Sequence, residues 1–312
     1  MNPWSLFWRQ GHSTTFGDYF KRGYEGAVAD WWKSTLETLP ANPVVMEVGC
    51  GNCSLLPAMI TSGVGGKYIG VDLAQVEPSA LAREGLAASG IEVLLHPETP
   101  AEEIPEPDLS VDLVVSVFGI EYSDLDKSLP EVLRLLRPGR QFRALLHHDA
   151  SVVTSMSRRA ISEYDSEDLA TVIEALAVIS AERDKAASIA ELKASSQAEK
   201  HRKIINMLAE KYLSSTDPRT ANATMFEIMT NALRFFKMMG ADSEARRQFI
   251  ASLQDEHTAS HERFKQMVAV ALDEEGIEAV QEKLTALGFS DTRTKVIYSN
   301  KDILGWELCT QK

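Results

Sequence analysis

The sequence predicts an α/β protein: a doubly wound sheet of seven strands, with a large all-helical insert before the last two. Three observations predict it. Short apolar runs alternate with helical stretches through the first half, the order that right-handed βαβ crossovers produce. From Ser151 to about Leu287 the texture changes to Ala, Glu, Lys, Met and Leu, with apolar residues three and four apart, as in Ile204, Ile205, Leu208 and Tyr212. The final residues return to two short strands with a turn at Asn300.

Taken in order, residues 1–23 are rich in aromatics and broken by Gly11, Gly17 and Gly23. Residues 24–39 read as a helix, which Pro40 and Pro43 stop. Residues 44–48 form the first strand, 55–61 a helix and 67–72 the second strand. A helix over 78–89 precedes the third strand, 91–96. The fourth strand is 112–117. A helix over 125–136 ends at Arg137-Pro138-Gly139-Arg140, and 141–147 is the fifth strand. The helical block holds one proline, Pro218, and few glycines, Gly240 and Gly276 among them. Strands over 292–298 and 305–310 complete the sheet. The chain thus divides into segments 1–43, 44–150, 151–287 and 288–312.

Composition narrows the function. The 312 residues carry 45 acidic and 32 basic side chains, a formal charge of −13. A nucleic-acid binder usually shows a basic footprint, so none is expected here, and an anionic membrane surface is an equally poor partner. No apolar run of about 18 residues occurs, so no membrane-spanning helix is expected. The N-terminus lacks the basic start and apolar core of a secretory signal. Three cysteines, Cys50, Cys53 and Cys309, make no disulfide framework. A cytoplasmic location is the expectation.

The stretch "VVMEVGCGNCSLL" carries two signals. Cys50-Gly51-Asn52-Cys53 has the spacing of a redox dithiol or of half a zinc site. The same residues, read with their flanks, are a strand that opens onto Gly49-x-Gly51. Such a turn presents backbone N–H groups at a helix start, and glycine permits positive φ and close approach. A second strand ends in Asp72, where nucleotide-binding units place an acid for ribose hydroxyls. A nicotinamide dinucleotide calls for a further glycine at the sixth position from Gly49, which is Ser54. Glu47 is also ill-suited to a pyrophosphate and better suited to the cationic end of an amino acid.

With "YIGVDLA", "VDLVVSVFGIEYSD" and "LPEVLRLLRPGRQFRALLHH" following in that order, residues 24–150 and the last two strands resemble class I S-adenosylmethionine-dependent methyltransferases. The likeness is greatest to the small-molecule branch that includes the quinone-biosynthesis C-methyltransferases. The resemblance implies a Rossmann-like core and S-adenosylmethionine as cofactor. It implies that Glu47, Gly49, Cys50 and Gly51 line the methionine end, that Asp72 binds the ribose, and that Leu73 packs on the adenine. Ser116 and Phe118 would lie under the methionine moiety. Two departures stand out. Cys53 occupies the place of the third loop glycine. Pro100-Ala101 falls where an Asp-Ala pair often meets the adenine, leaving the Ala101 backbone, with Glu102 as side-chain partner. The cysteines then read as small loop residues, since a zinc site would need a second pair and a dithiol would leave Asp72 unexplained.

Two clusters sit at strand ends facing the ligand crevice: Glu121-Tyr122 and His147-His148. Histidine titrates near neutrality, so His147 or His148 is the expected general base, with Tyr122 and Glu121 as further catalytic candidates. His257 and His261 are four apart on a predicted helix. The metalloprotease pattern H-E-x-x-H is absent there, so they read as a solvated face and no metal is expected. The resemblance also places residues 1–43 as a helical lid over the cofactor. The apolar side chains Met225, Phe226, Ile228, Met229, Leu233, Phe235, Phe236, Met238 and Met239 must bury somewhere, and a roof over the acceptor pocket, a homodimer interface or both are expected of the insert. The expected activity is methyl transfer to an O or N atom of a small-molecule substrate. The alternatives are a protein or peptide methyltransferase and a non-catalytic cofactor-binding regulator.

Overall fold

Seven strands lie in the order β3-β2-β1-β4-β5-β7-β6. In the computed structural model, which describes residues 2–17, 23–37, 39–215, 217 and 221–312, they are β1 (Val44–Val48), β2 (Gly66–Val71), β3 (Ile91–His96), β4 (Val111–Val117), β5 (Leu136–Leu146), β6 (Ser290–Ser299) and β7 (Asp302–Gln311). The first five run parallel, and β7 pairs antiparallel with both β5 and β6. The order reverses between β1 and β4, so the carboxyl ends of these neighbours splay into a crevice.

Helices cover both faces of the sheet. Before β1 come α1 (Pro3–Arg9) and α2 (Ala27–Leu36), and after it α3 (Leu56–Thr61). Trp31 and Trp32 of α2 and Met59 of α3 pack on one face with Val45, Tyr68, Leu113 and Val115. The short helices α4 (Ala80–Arg83) and α5 (Leu86–Ser89) replace the single helix expected over 78–89. Glu84 is extended and Gly85 left-handed, which breaks the helix in the middle. On the other face, α6 (Leu125–Leu135) buries Leu129, Val132 and Leu135 against Met46, Val114 and Phe142.

Eight of the nine nonpolar residues of β1 and β4, all but Val44, are buried, as strands covered on both sides require. For β5, pairing begins at Leu136, five residues before the expected start. Leu136 joins Val111 across an irregular stretch, and regular pairing resumes at Leu113 and Gln141.

The helical block contains α7 (Val152–Glu163), α8 (Ser166–Lys185), α9 (Ile189–Ala194), α10 (Ser196–Leu213), α11 (Ala223–Leu233), α12 (Ser243–Val270) and α13 (Glu274–Ala286). The compact unit is shorter than the helical block 151–287. Arg158–Lys265 forms one compact unit, and the residues on either side belong with the sheet in the other. Ile277, Val280 and Leu284 of α13 join the core under β4 and β7. This helix is the crossover that links β5 to the closing strands. Within the helical unit, Met225, Ile228, Met229 and Phe235 are buried against Leu176, Ile205 and Leu253. The density of Met and Phe is thus met largely by the unit's own helices. Phe226 remains exposed. Among the described residues no helix is long and apolar enough to cross a membrane.

Candidate functional site

The crevice is built first by backbone constraints. Gly49 has φ +69°, and a Cβ there would lie 2.6 Å from Gly119 Cα, so the loops after β1 and β4 abut. Ser116 clamps them: its hydroxyl donates to Val48 O (2.7 Å) and accepts from Ile120 N (2.8 Å). The loop after β2 is tied in by Asp72, whose carboxylate accepts from Gly51 N and Ala74 N, both at 2.8 Å. Burial pushes the Asp72 carboxyl up to about 6, against the pull of these two bonds.

A cavity of about 470 Å³ opens above these loops, within the usual size of small-molecule sites. Val48, Gly49, Phe118 and Gly119 line it at the β1 and β4 ends. Asp72, Leu73, Ala101 and Glu102 line the side toward β2 and β3. Leu73 is 64% exposed, an apolar plate presented to the cavity. Glu102 is steadied by Asp124 N, which donates to it at 2.7 Å.

The top is a strap, α1. Asn2 caps it by accepting from Trp4 N (2.9 Å), and Pro3 suits the first turn. Trp4 and Trp8 are one turn apart, share a helix face and both line the cavity. Side-chain bonds fasten the strap, and Asn2 Nδ2 adds one to Leu73 O (3.4 Å). Asn52 Nδ2 donates to Trp8 O (2.8 Å) and His12 O (3.0 Å), Gln75 N donates to Ser5 Oγ (2.9 Å), and Trp4 Nε1 donates to Gln266 Oε1 (2.9 Å). Gln266, Ala269 and Val270, at the end of α12, complete the wall. Of the segment 1–43 expected as a lid, residues 1, 18–22 and 38 lie outside the described residues.

The expected site residues divide sharply. Gly49, Asp72, Leu73, Ala101, Glu102, Phe118 and Tyr122 line the cavity. Glu47 does not. It is 1% exposed and turned into the core, accepting from Ser54 Oγ and Tyr68 OH at 2.6 Å each and from Leu55 N at 3.3 Å. Burial pushes its carboxyl up to about 7. Glu47 therefore secures the start of α3 from within the core. Ser116 is likewise fully buried in its clamp. Gly51 lies beneath the Trp8 ring, and Cys50 packs with that ring and Val76. Burial raises the Cys50 thiol above its ordinary value. Cys53 is buried with φ +65°, so the place of the third glycine keeps its left-handed backbone without the glycine.

Among the catalytic candidates only Tyr122 reaches the cavity. His147 lies behind it, 1% exposed, with Nε2 3.1 Å from the Tyr122 hydroxyl and its ring stacked on Phe118 at 4.7 Å. Burial pulls its pKa down to about 3. Glu121 is buried below, accepting from His147 N (3.0 Å), and burial pushes it up to about 7. His148 faces away: it stacks on Trp306 (4.5 Å) and its Nδ1 accepts from Ala150 N (3.0 Å), which shapes the turn into α7. The order Glu-Tyr and His-His gave no clue to which neighbour faces the cavity. Trp4 and Trp8 fall within the expected lid, whereas Asn52 and Gln266 were missed as strap or wall residues. Asn52 sits inside the glycine loop and could have been suspected, but Gln266 carries no sequence signal.

His257 and His261 are not a solvated face. His257 lies 3.3 Å from Asn231 Nδ2, with burial pulling its pKa down to about 4, and His261 stacks on Tyr164 at 4.1 Å.

Residues 45–139 match a family model described as a methyltransferase domain. Similar solved structures include a methyltransferase, named there as putative, in complex with the Haloferax volcanii Trm112 methyltransferase activator. It is 20% identical over 47% of this chain and 62% of its own, with a TM-score of 0.36. Another is the Burkholderia thailandensis 1,6-didemethyltoxoflavin-N1-methyltransferase with bound 1,6-didemethyltoxoflavin and S-adenosylhomocysteine (17%, 39% and 53%, 0.32). A third is a SAM-dependent methyltransferase from Aquifex aeolicus (22%, 48% and 74%, 0.34). The chain spans less than two thirds of the length of the first two.

Proposed function

We propose, from the methyltransferase domain at residues 45–139, that this protein transfers a methyl group from S-adenosylmethionine to an N or O atom of a small molecule. One observation carries the reading: the cavity at the β1–β4 switch point joins the Asp72 carboxylate, the exposed Leu73 plate and the Gly49 cradle. These residues fit the cofactor. Each Asp72 oxygen accepts one backbone N–H and keeps a lone pair for a ribose hydroxyl. Leu73 offers a flat apolar face to a purine, and the Ala101 backbone and Glu102 flank the same side.

When bound, the cofactor supplies an electrophilic methyl on a sulfonium. This chain's residues supply orientation and dryness. Trp4 and Trp8 shut the top of the cavity and exclude water. Phe118 and Tyr122 shape the β4 side, where an acceptor would approach. Burial raises the Tyr122 hydroxyl well above its ordinary value, so it stays a phenol. His147 stays neutral behind it. The Tyr122 hydroxyl can hold an acceptor N–H or O–H in line; a proton passed from the acceptor through it to His147 would leave an imidazolium there, as the sulfonium loses its own positive charge.

The test is turnover. The purified chain with S-adenosylmethionine is incubated with the low-mass and the protein fractions of a cell extract, and S-adenosylhomocysteine is measured. Product dependent on the low-mass fraction, and N- or O-methylated, is expected. Product from the protein fraction alone would favour a protein methyltransferase. A C-methylated product would correct the acceptor atom, and cofactor binding without turnover on either fraction would favour a regulator.

A further inference from the structure

We propose that Trp4, Phe118 and Tyr122 form an aromatic corner that stabilises a positive charge at the reacting centre, and so favours the sulfonium donor over its neutral thioether product. The inference rests on the cofactor reading above. In the sheet, β1 lies between β2 and β4. A ligand whose ribose meets Asp72, after β2, therefore extends past Gly49 toward Phe118 and Tyr122, after β4. Its charged sulfur then arrives at the rings.

The rings are held from behind. Trp4 packs edge-to-face on Tyr122 with centroids 5.4 Å apart, and its indole N–H is committed to Gln266. The Tyr122 hydroxyl is paired with His147, and Phe118 stacks on the same imidazole. All three rings line the cavity, and Trp4 is held further by Trp8 and Phe7, whose ring centroids lie 6.4 and 5.9 Å away. Among the described residues that line it there is no Lys, Arg or His, while Asp72 and Glu102 are both carboxyls. A cation within about 6 Å of a ring centroid is attracted by the ring quadrupole, most strongly by Trp. The neutral thioether gains nothing from that term.

Calorimetry on the full chain separates charge from shape, using S-adenosylmethionine, S-adenosylhomocysteine and sinefungin, which carries a protonated amine near the same position. Trp4→Leu is expected to weaken S-adenosylmethionine and sinefungin by about 3- to 10-fold and S-adenosylhomocysteine by less than about 2-fold. Trp4→Phe, which keeps a ring, should recover most of the difference. Tyr122→Leu should act like Trp4→Leu, and Tyr122→Phe should keep the wild-type ratio. Equal weakening of all three ligands would overturn the proposal, because the rings would then only fill space. An unchanged affinity ratio in both leucine variants would also overturn it while leaving the cofactor reading intact. If wild type bound none of the three, the cofactor reading would fall, and the corner with it. Circular dichroism confirms folding, and Trp4→Phe with Tyr122→Leu still decides the matter if Trp4→Leu does not fold.

Discussion

Gly51→Ala tests whether the strap is coupled to the glycine loop. A Cβ at Gly51 would stand 2.4, 2.5 and 2.7 Å from three atoms of the Trp8 indole. Carbon contacts relax near 3.5–4.0 Å, so the ring must retreat by about 1 Å or more. Trp8 is buried and its carbonyl is held by Asn52, so the ring can retreat only toward the cavity that it lines. Gly51 also has φ +49°, a left-handed backbone that costs an alanine about 1–2 kcal/mol. Lifting Trp8 off Cys50, Ala74 and Val76 forfeits up to about 3 kcal/mol of apolar burial. A loss of 2–4 kcal/mol, about what these terms sum to, lowers the melting temperature by roughly 5–10 °C in a unit of this size. The strap should open first. Trypsin should cut after Arg9 faster, and S-adenosylmethionine should dissociate faster. Trp8→Ala removes the obstacle, so the double variant should cost less than the sum of the singles. Strict additivity, with unchanged protection at Arg9, would refute the coupling.

Three further outcomes are expected. Asp72→Ala should weaken S-adenosylmethionine by about 1–3 kcal/mol in calorimetry. Because burial pushes the Asp72 carboxyl up to about 6, the charged acceptor is lost as pH falls through 6, so wild-type affinity should decline from pH 7 to 5 and that decline should shrink in Asp72→Asn. His147 is held neutral, with its pKa pulled from 6.5 to about 3; only the unfolded chain takes up that proton between those values, so stability falls as pH drops below 6.5. Urea unfolding at pH 7 and pH 5 should show a smaller acid loss in His147→Phe, and an equal loss would mean another group controls it. Cys53→Gly should keep cofactor affinity within about threefold, since the position already has the left-handed backbone glycine adopts. Oxidative loss of activity in wild type that dithiothreitol reverses, and that Cys53→Gly lacks, would restore a redox role.

The parallel strands were legible because each carries a short apolar run, buried most fully in β1 and β4, and β3 has the expected ends. The unit boundary was not. Residues 266–287 have the same Ala-, Glu- and Leu-rich texture as the insert, yet α13 packs on the sheet, and only tertiary contact separates the two. The helix over 78–89 failed at Gly85, where one left-handed residue outweighs the surrounding propensity. In the site, pattern reached the loops but not the direction of side chains within them. Glu121 and Tyr122 are adjacent, and a short 3-10 turn over Ile120–Tyr122 turns one inward and the other to the cavity.

Several acids and hydroxyls that look ligand-directed in the sequence hold loops together instead. Glu47 fixes the start of α3, Ser116 joins β4 to β1, and Glu121 grips the backbone at the end of β5. Asp72 does both jobs, since it ties Gly51 and Ala74 while lining the cavity. A crevice at a switch point has no ladder of hydrogen bonds across it, so its loops must be tied by side chains. The motif residues answer that need before any ligand arrives. What remains on the wall is largely apolar and aromatic, with Asp72 and Glu102 as its carboxyls. Such a wall suits a donor that brings its own reactive charge, and leaves the chain to hold that charge in line and dry.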